Sequence, residues 1–258
     1  MELSLSIRIM SIIEIEGDEV EDILAELDGY DYTSQLNPGP SRDDCIPAKG
    51  SSALQSALKQ VRDGASKLDL SHWSIRLGIQ GSIALAELLR RPKLNLTTIL
   101  LNCNEIGPKG SATLSEALKD NVTVTKLDLS SNNILDAGAS SIADFLKVST
   151  MLKKLELEDN GIGPPGAIAL AQSLKVNSVL ESLHLGENGL TDLGATCLAD
   201  SLSANTALQT LWLAGNKIGN AGAGALNSGL SNNSSLKTLY LGSPRPGCTV
   251  LAWPSSLG

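Results

Sequence analysis

His184, Trp212 and Tyr240 stand at one position of a recurring frame, each between two leucines and each 28 residues from the next. Aromatic residues number only seven in 258, so two at neighbouring frame positions are conspicuous. Trp and Tyr are enriched where a protein grips a partner, and truncating such an anchor typically costs about 2 kcal/mol or more. Asp128 and Glu156 hold the same frame position in the two preceding units, and Glu158, Asp159 and Glu187 lie close by. Rings flanked by carboxylates suit a partner with a basic or arginine-bearing surface, through charge and cation–π contacts. The same residues do not assemble a catalytic or metal centre. The two histidines, His72 and His184, are four units apart, and Cys45, Cys103, Cys197 and Cys248 lack metal-ligand or C-x-x-C spacing. No nucleophile–base–acid set stands out, and no glycine-rich loop carries a phosphate-binding lysine, so no cofactor and no enzyme activity are expected.

The elements that must position these residues follow from the frame. The pattern L-x-x-L-x-L-x-x-N-x-L ends on Asn104, Asn132, Asn160, Asn188 and Asn216. Alternating leucines predict a short strand with one buried face. The Asn sits where the chain leaves the strand, and its side chain can bond free backbone groups, so stacked units can build a ladder. Gly110, Gly138, Gly166, Gly194 and Gly222 follow and read as turn glycines. Ala167, Leu170, Ala171 and Leu174 then show helical i, i+3, i+4, i+7 spacing. Each unit therefore reads strand, turn, helix, return, and stacking supplies the core that one unit lacks.

Units such as "LDLSSNNILDAGASSIADFL" and "LWLAGNKIGNAGAGALNSGL" resemble the leucine-rich repeat family, in its 28-residue, ribonuclease-inhibitor-like subclass. The resemblance implies an α/β horseshoe solenoid with parallel strands on the concave face and helices on the convex face. The subclass includes repeat regions of cytosolic NOD-like innate-immune receptors, Ran GTPase-activating proteins and tropomodulin-like actin caps.

Strand alternation lists the concave row: Asp69, Leu100, Asp128, Glu156, His184, Trp212 and Tyr240. Strands about 4.8 Å apart make it continuous. Two residues earlier stand Lys67, Thr98, Lys126, Lys154, Ser182, Thr210 and Thr238, so the first half of the row is laced with Lys/Asp and Lys/Glu pairs.

Three regions are expected: an acidic cap or interaction segment at 1–45, repeats at 46–243, and an irregular tail at 244–258. Residues 1–44 hold 12 acidic side chains against Arg8 and Arg42, a net charge of −10 in a chain of −8. The remainder is thus about neutral, which argues against nucleic acid. Asp18 and Glu21 make a capping box ahead of an apolar stripe at Val20, Ile23, Leu24 and Leu27. Residues 46–60 read as a half repeat, and Trp73 replaces the expected Asn as a packing residue. Pro244 replaces the last Asn, and either the tail covers the open edge or the chain belongs to something longer. Free cysteines, no visible signal peptide and no run of about 20 apolar residues favour a cytoplasmic chain without membrane association. The sequons at Asn95, Asn121, Asn232 and Asn233 then read as chance matches.

The expected function is a non-enzymatic protein-interaction scaffold that binds its partner on the concave face. The resemblance supplies two alternatives, a Ran-type GTPase-activating protein and the sensing repeats of an innate-immune receptor.

Overall fold

A computed structural model describes residues 57, 59–61, 63–71, 76–91 and 94–242, together with the backbone of 250–252. The acidic segment with its capping box, His72, Trp73, Cys45 and Cys248 lie outside the described residues.

Strands and helices alternate along the chain: β1 (Lys67–Asp69), α1 (Gly78–Leu89), β2 (Thr98–Leu100), α2 (Gly107–Leu118), β3 (Lys126–Asp128), α3 (Leu135–Val148), β4 (Lys154–Glu156), α4 (Pro164–Leu174), β5 (Ser182–His184), α5 (Asp192–Leu202), β6 (Thr210–Trp212), α6 (Asn220–Leu230) and β7 (Thr238–Tyr240). Strands β1 to β7 pair in parallel and in sequence order. Each is only three residues long, so every helix returns the chain by one strand spacing, and the product is an α/β solenoid. β8 (Val250–Ala252) then pairs antiparallel with β7, opposing Val250 to Tyr240, and supplies partners along what would be the open edge. Within the stretch without repeat pattern, residues 250–252 therefore return as a strand.

The strand leucines and the helical stripe form one continuous core. Leu155, Leu157, Ala167, Leu170, Leu174, Leu183 and Leu185 are all fully buried. The stripe read from Ala167 to Leu174 is thus the inward face of α4.

Two asparagine ladders tie the units together. Asn132 Nδ2 donates to the carbonyls of Leu101, Leu129 and Ser130, while Asn160 Oδ1 accepts from the backbone N–H groups of Asn132 and Ile134. The pattern recurs at Asn104, Asn188 and Asn216. The second ladder runs below the helix ends. Asn177, Asn205 and Asn233 donate to Leu146, Leu174 and Leu202 carbonyls, each at 2.7 Å, and cap their own following turn. Asn121 and Asn233, both in sequons, are engaged in such backbone capping.

The recurring glycines are not turn residues. Gly110, Gly138, Gly166, Gly194 and Gly222 lie in the first turn of their helices, where neighbouring helices approach closely. A Cβ on Gly166 would stand 3.0 Å from Ala139 Cβ and 2.8 Å from Asp136 Oδ1, so the contact excludes a side chain. The left-handed residues come earlier and flank the Asn: Cys103, Ser131, Asp159, Glu187 and Gly215 before it, and Glu105, Asn133 and Gly161 after it, have φ between 51° and 74°.

Candidate interaction face

The strand face opposite the helices carries the row read from the sequence. In register lie Asp128 beside Glu156, Glu156 beside His184, His184 beside Trp212, and Trp212 beside Tyr240. The strands fix their spacing because each flanking leucine is locked in the core. All of these side chains except Glu156 are half-buried.

The row divides into two chemically distinct parts. In the first, charges are satisfied internally. Lys67 Nζ lies 2.8 Å from Asp69 Oδ2. Glu156, only 9% exposed, has Lys154 Nζ at 2.7 Å and Lys126 Nζ at 3.5 Å. Burial pushes the Glu156 carboxyl up, but the hydrogen bond and charge of Lys154, with the Lys126 charge, outweigh it and hold the carboxyl below its ordinary range. Burial, with the negative Glu156 alongside, moves Asp128 the opposite way, above its ordinary range, although Ser130 N–H donates to it at 3.0 Å. At Asp69, burial is outweighed by hydrogen bonds from Lys67 and Ser71, and its value falls to about 2.

In the second part, aromatic rings replace ion pairs. Trp212 stacks on Tyr240 with ring centroids 4.2 Å apart and planes 28° apart. His184 flanks the other side of Trp212 at 5.8 Å. His184 Nδ1 lies 3.3 Å from Glu158 Oε1. Both sides of the indole are therefore occupied by this chain's own rings. What Trp212 offers outward is its edge, which limits the cation–π contact expected of it.

Gly186 makes the arrangement possible. A Cβ built there would meet Trp212 Cδ1 at 2.8 Å and Nε1 at 2.9 Å, so the indole lies against a bare backbone. Gly186 occupies the frame position of Ser71, Asn102, Ser130 and Glu158. That substitution one unit before Trp212 is the sequence signal that points to the seat. Glu187 reaches over Gly215 in a similar way, since a Cβ there would meet its carboxyl carbon at 2.5 Å. Glu187 is exposed and has no ion-pair partner among the described residues.

Of the residues read as a partner site, the structure thus groups His184, Trp212, Tyr240 and Glu158, with Glu187 on the loop that follows β5. Asp128 and Glu156 stand in the same row but within the lysine-paired part. Cys103 and Cys197 are free thiols. Among the described residues, no three His, Cys, Asp or Glu side chains gather around a metal position, and no helix is long and apolar enough to cross a membrane.

A family model described as Leucine Rich repeat matches residues 120–143, 148–171, 176–199 and 204–226. These are leucine-rich repeats. No curated protein matches the sequence at a meaningful level. Among solved structures, the leucine-rich repeats are similar to "Leiomodin-1 Actin-Binding Site 2", at 22% identity and a TM-score of 0.46, covering 51% of this chain and 78% of that one. They are also similar to the tropomodulin C-terminal domain of Caenorhabditis elegans, at 17% identity and a TM-score of 0.47, covering 60% of this chain and 92% of that one. A third similarity, to the chain in a TLR13–ssRNA13 complex, has 18% identity and a TM-score of 0.25, covering 69% of this chain and 32% of that one.

Proposed function

We propose that this chain is a non-enzymatic, cytoplasmic protein-interaction module whose 28-residue repeats are of the ribonuclease-inhibitor-like kind. Its partner, a protein with a basic surface, binds the concave strand face; neither nucleic acid nor membrane is required. The observation that carries this reading is the Trp212–Tyr240 stack at 4.2 Å on the strand face. Rings held rigid before a partner arrives lose little conformational freedom on binding, the property expected of an anchor. His184 and Glu158 complete the anchor, and Glu187 supplies a free negative charge beside it. In this reading Asp128 and Glu156 form the rim, because Lys126 and Lys154 both pair with Glu156 and Asp128 stands half-buried beside it. Residues 1–45 act as a separate acidic segment, residues 46–243 as the repeat domain, and residues 244–258 as its terminal tail.

The test is affinity capture from cytosol with the native chain and a Trp212→Ala/Tyr240→Ala pair, after both show equal circular dichroism. Loss of about 2 kcal/mol at the anchor corresponds to about 30-fold weaker capture. A partner retained equally by both proteins moves the site away from the rings. The partner's chemistry then separates a GTPase regulator, which takes a small GTPase, from a receptor's sensing repeats, which take a nucleotide-binding domain.

A further inference from the structure

Imidazole is the side chain whose ordinary proton exchange falls between about pH 5 and pH 8. Among the described residues His184 is the one histidine, and it stands inside the ring anchor rather than away from it. Its neighbours decide what a proton does there.

β4 lies on one side of it. Glu156 is its register partner, and Glu158 Oε1 lies 3.3 Å from its Nδ1. Glu156 is already held by Lys154 at 2.7 Å and Lys126 at 3.5 Å. Asp128 stands one strand further, beside Glu156. β6 lies on the other side. There Trp212 is the register partner, with ring centroids 5.8 Å apart, and Thr210 precedes it on the same face. Neither of these is titratable. Before β5, Glu181 pairs with Lys153 at 2.9 Å; after it, Glu187 stands exposed on the loop. Among the described residues, Glu158 is thus the carboxylate in contact with the imidazole and Trp212 the ring beside it.

A proton on His184 has two local consequences. The imidazolium pairs with Glu158, so that carboxylate is no longer offered to a cation from outside. Its positive ring also stands within the roughly 6 Å over which a cation and an aromatic face attract. The acidic side of the anchor is then reduced to Glu187, and a new positive charge stands beside the rings. Like charges brought together across an interface repel, so both consequences oppose a basic partner.

We propose that His184 makes the strand-face site proton-sensitive: a basic partner is held while His184 is neutral and released when His184 takes a proton and pairs with Glu158. This inference rests on the strand-face reading above and names the regulation of that same site. Linkage makes the effect reciprocal, so arrival of the partner expels a proton from His184.

The test reads Trp212 itself. In the full isotope-labelled chain, its indole N–H signal is assigned by its loss in Trp212→Phe, and octa-arginine serves as the basic probe. Following this one signal separates the strand face from the acidic residues 1–44, which also attract the probe. Octa-arginine added at pH 7.5 should shift the signal saturably. At pH 5.5 its affinity should fall about 5-fold or more, the lower end of couplings between linked sites. In His184→Gln, whose amide can donate to Glu158 but takes up no proton, the fall should be much smaller. A fall of the same size in both chains overturns the proposal and leaves the strand-face reading standing. A native, probe-free signal that does not move between pH 8 and pH 5 also overturns it, and that result needs no variant. A signal that octa-arginine fails to shift at pH 7.5 overturns the strand-face reading, and this proposal with it.

Discussion

Asp136 in the first turn of α3 accepts two backbone hydrogen bonds at one oxygen, Oδ1, from Gly163 at 2.7 Å and Gly166 at 2.9 Å. Both donors belong to the start of α4, one repeat on. Asp192 does the same for Gly219 and Gly222 at the start of α6. The helices' own N-cap positions make no side-chain capping bond, so the carboxylate of the preceding unit satisfies these orphan donors. Asp136→Ala is expected to cost about 1 kcal/mol, in the range of N-cap removal. Asp136→Asn, which keeps the acceptor, should recover part of it. Urea denaturation midpoints of the three proteins decide this, and equal midpoints for Ala and native chains refute the cap.

The ladder asparagines should be less replaceable. Asn160→Ala strands the buried N–H groups of Asn132 and Ile134 and removes the donor to the Leu129 carbonyl. With an unsatisfied buried group costing about 1–3 kcal/mol, a loss of about 3 kcal/mol is expected from chemical denaturation. Asn216→Ala, nearer the end and half-buried, should lose visibly less. A cost of less than about 1 kcal/mol at Asn160 contradicts the ladder's structural role.

The Trp212 seat predicts a mutation of the smallest kind with a local spectroscopic effect. Gly186→Ala puts a methyl within 3 Å of the indole. The ring must swing off Tyr240, and overpacking of this sort costs about 1–3 kcal/mol. The near-ultraviolet circular dichroism of the stack should collapse, and partner capture should fall with it. An unchanged spectrum rejects the seat.

Opposite shifts at Asp128 and Glu156 give a pH test. Asp128 binds its proton more tightly folded than unfolded, so it opposes folding once pH rises above the ordinary carboxylate range, and stability drops across the window up to its raised value. Asp128→Asn should therefore be more stable than the native chain at pH 7. The gain should vanish at a pH low enough to protonate Asp128. Glu156 has the reverse sign: its contribution is full above the ordinary range and is lost as pH falls through its lowered value. Asp69 behaves as Glu156 does, with a midpoint of about 2 expected by NMR titration. Its exposed ion pair holds its share of stability to under ~1 kcal/mol.

The frame of leucines and asparagines made the strands, the core and the row on the strand face legible, because a period-2 strand inside a longer repeat has few other solutions. The row's neighbours could be read residue by residue. The Lys/Asp and Lys/Glu pairs of its first half were legible too, but not every lysine's choice of partner. Lys154 and Glu156 sit two apart on one strand, but Lys126 reaches Glu156 from the preceding strand, and that reach depends on side-chain direction. The recurring glycines were misassigned to turns for a related reason. Gly138 faces Ser111 of another helix, and nothing local announces a close approach between elements 28 residues apart. Gly186 was overlooked because its effect falls on a ring one unit later.

The Asp136 and Asp192 clasps do not occur at every junction. Pro164 stands between them at the matching position and Pro108 before them, and neither has a side-chain oxygen to offer. The units ending on Asn132 and Asn160 are therefore clasped together, as are those ending on Asn188 and Asn216, whereas the seam between the pairs lacks a clasp. Under tension applied at its ends, the junction at Pro164, held by the asparagine ladder without a clasp, is expected to part before the clasped junctions on either side of it.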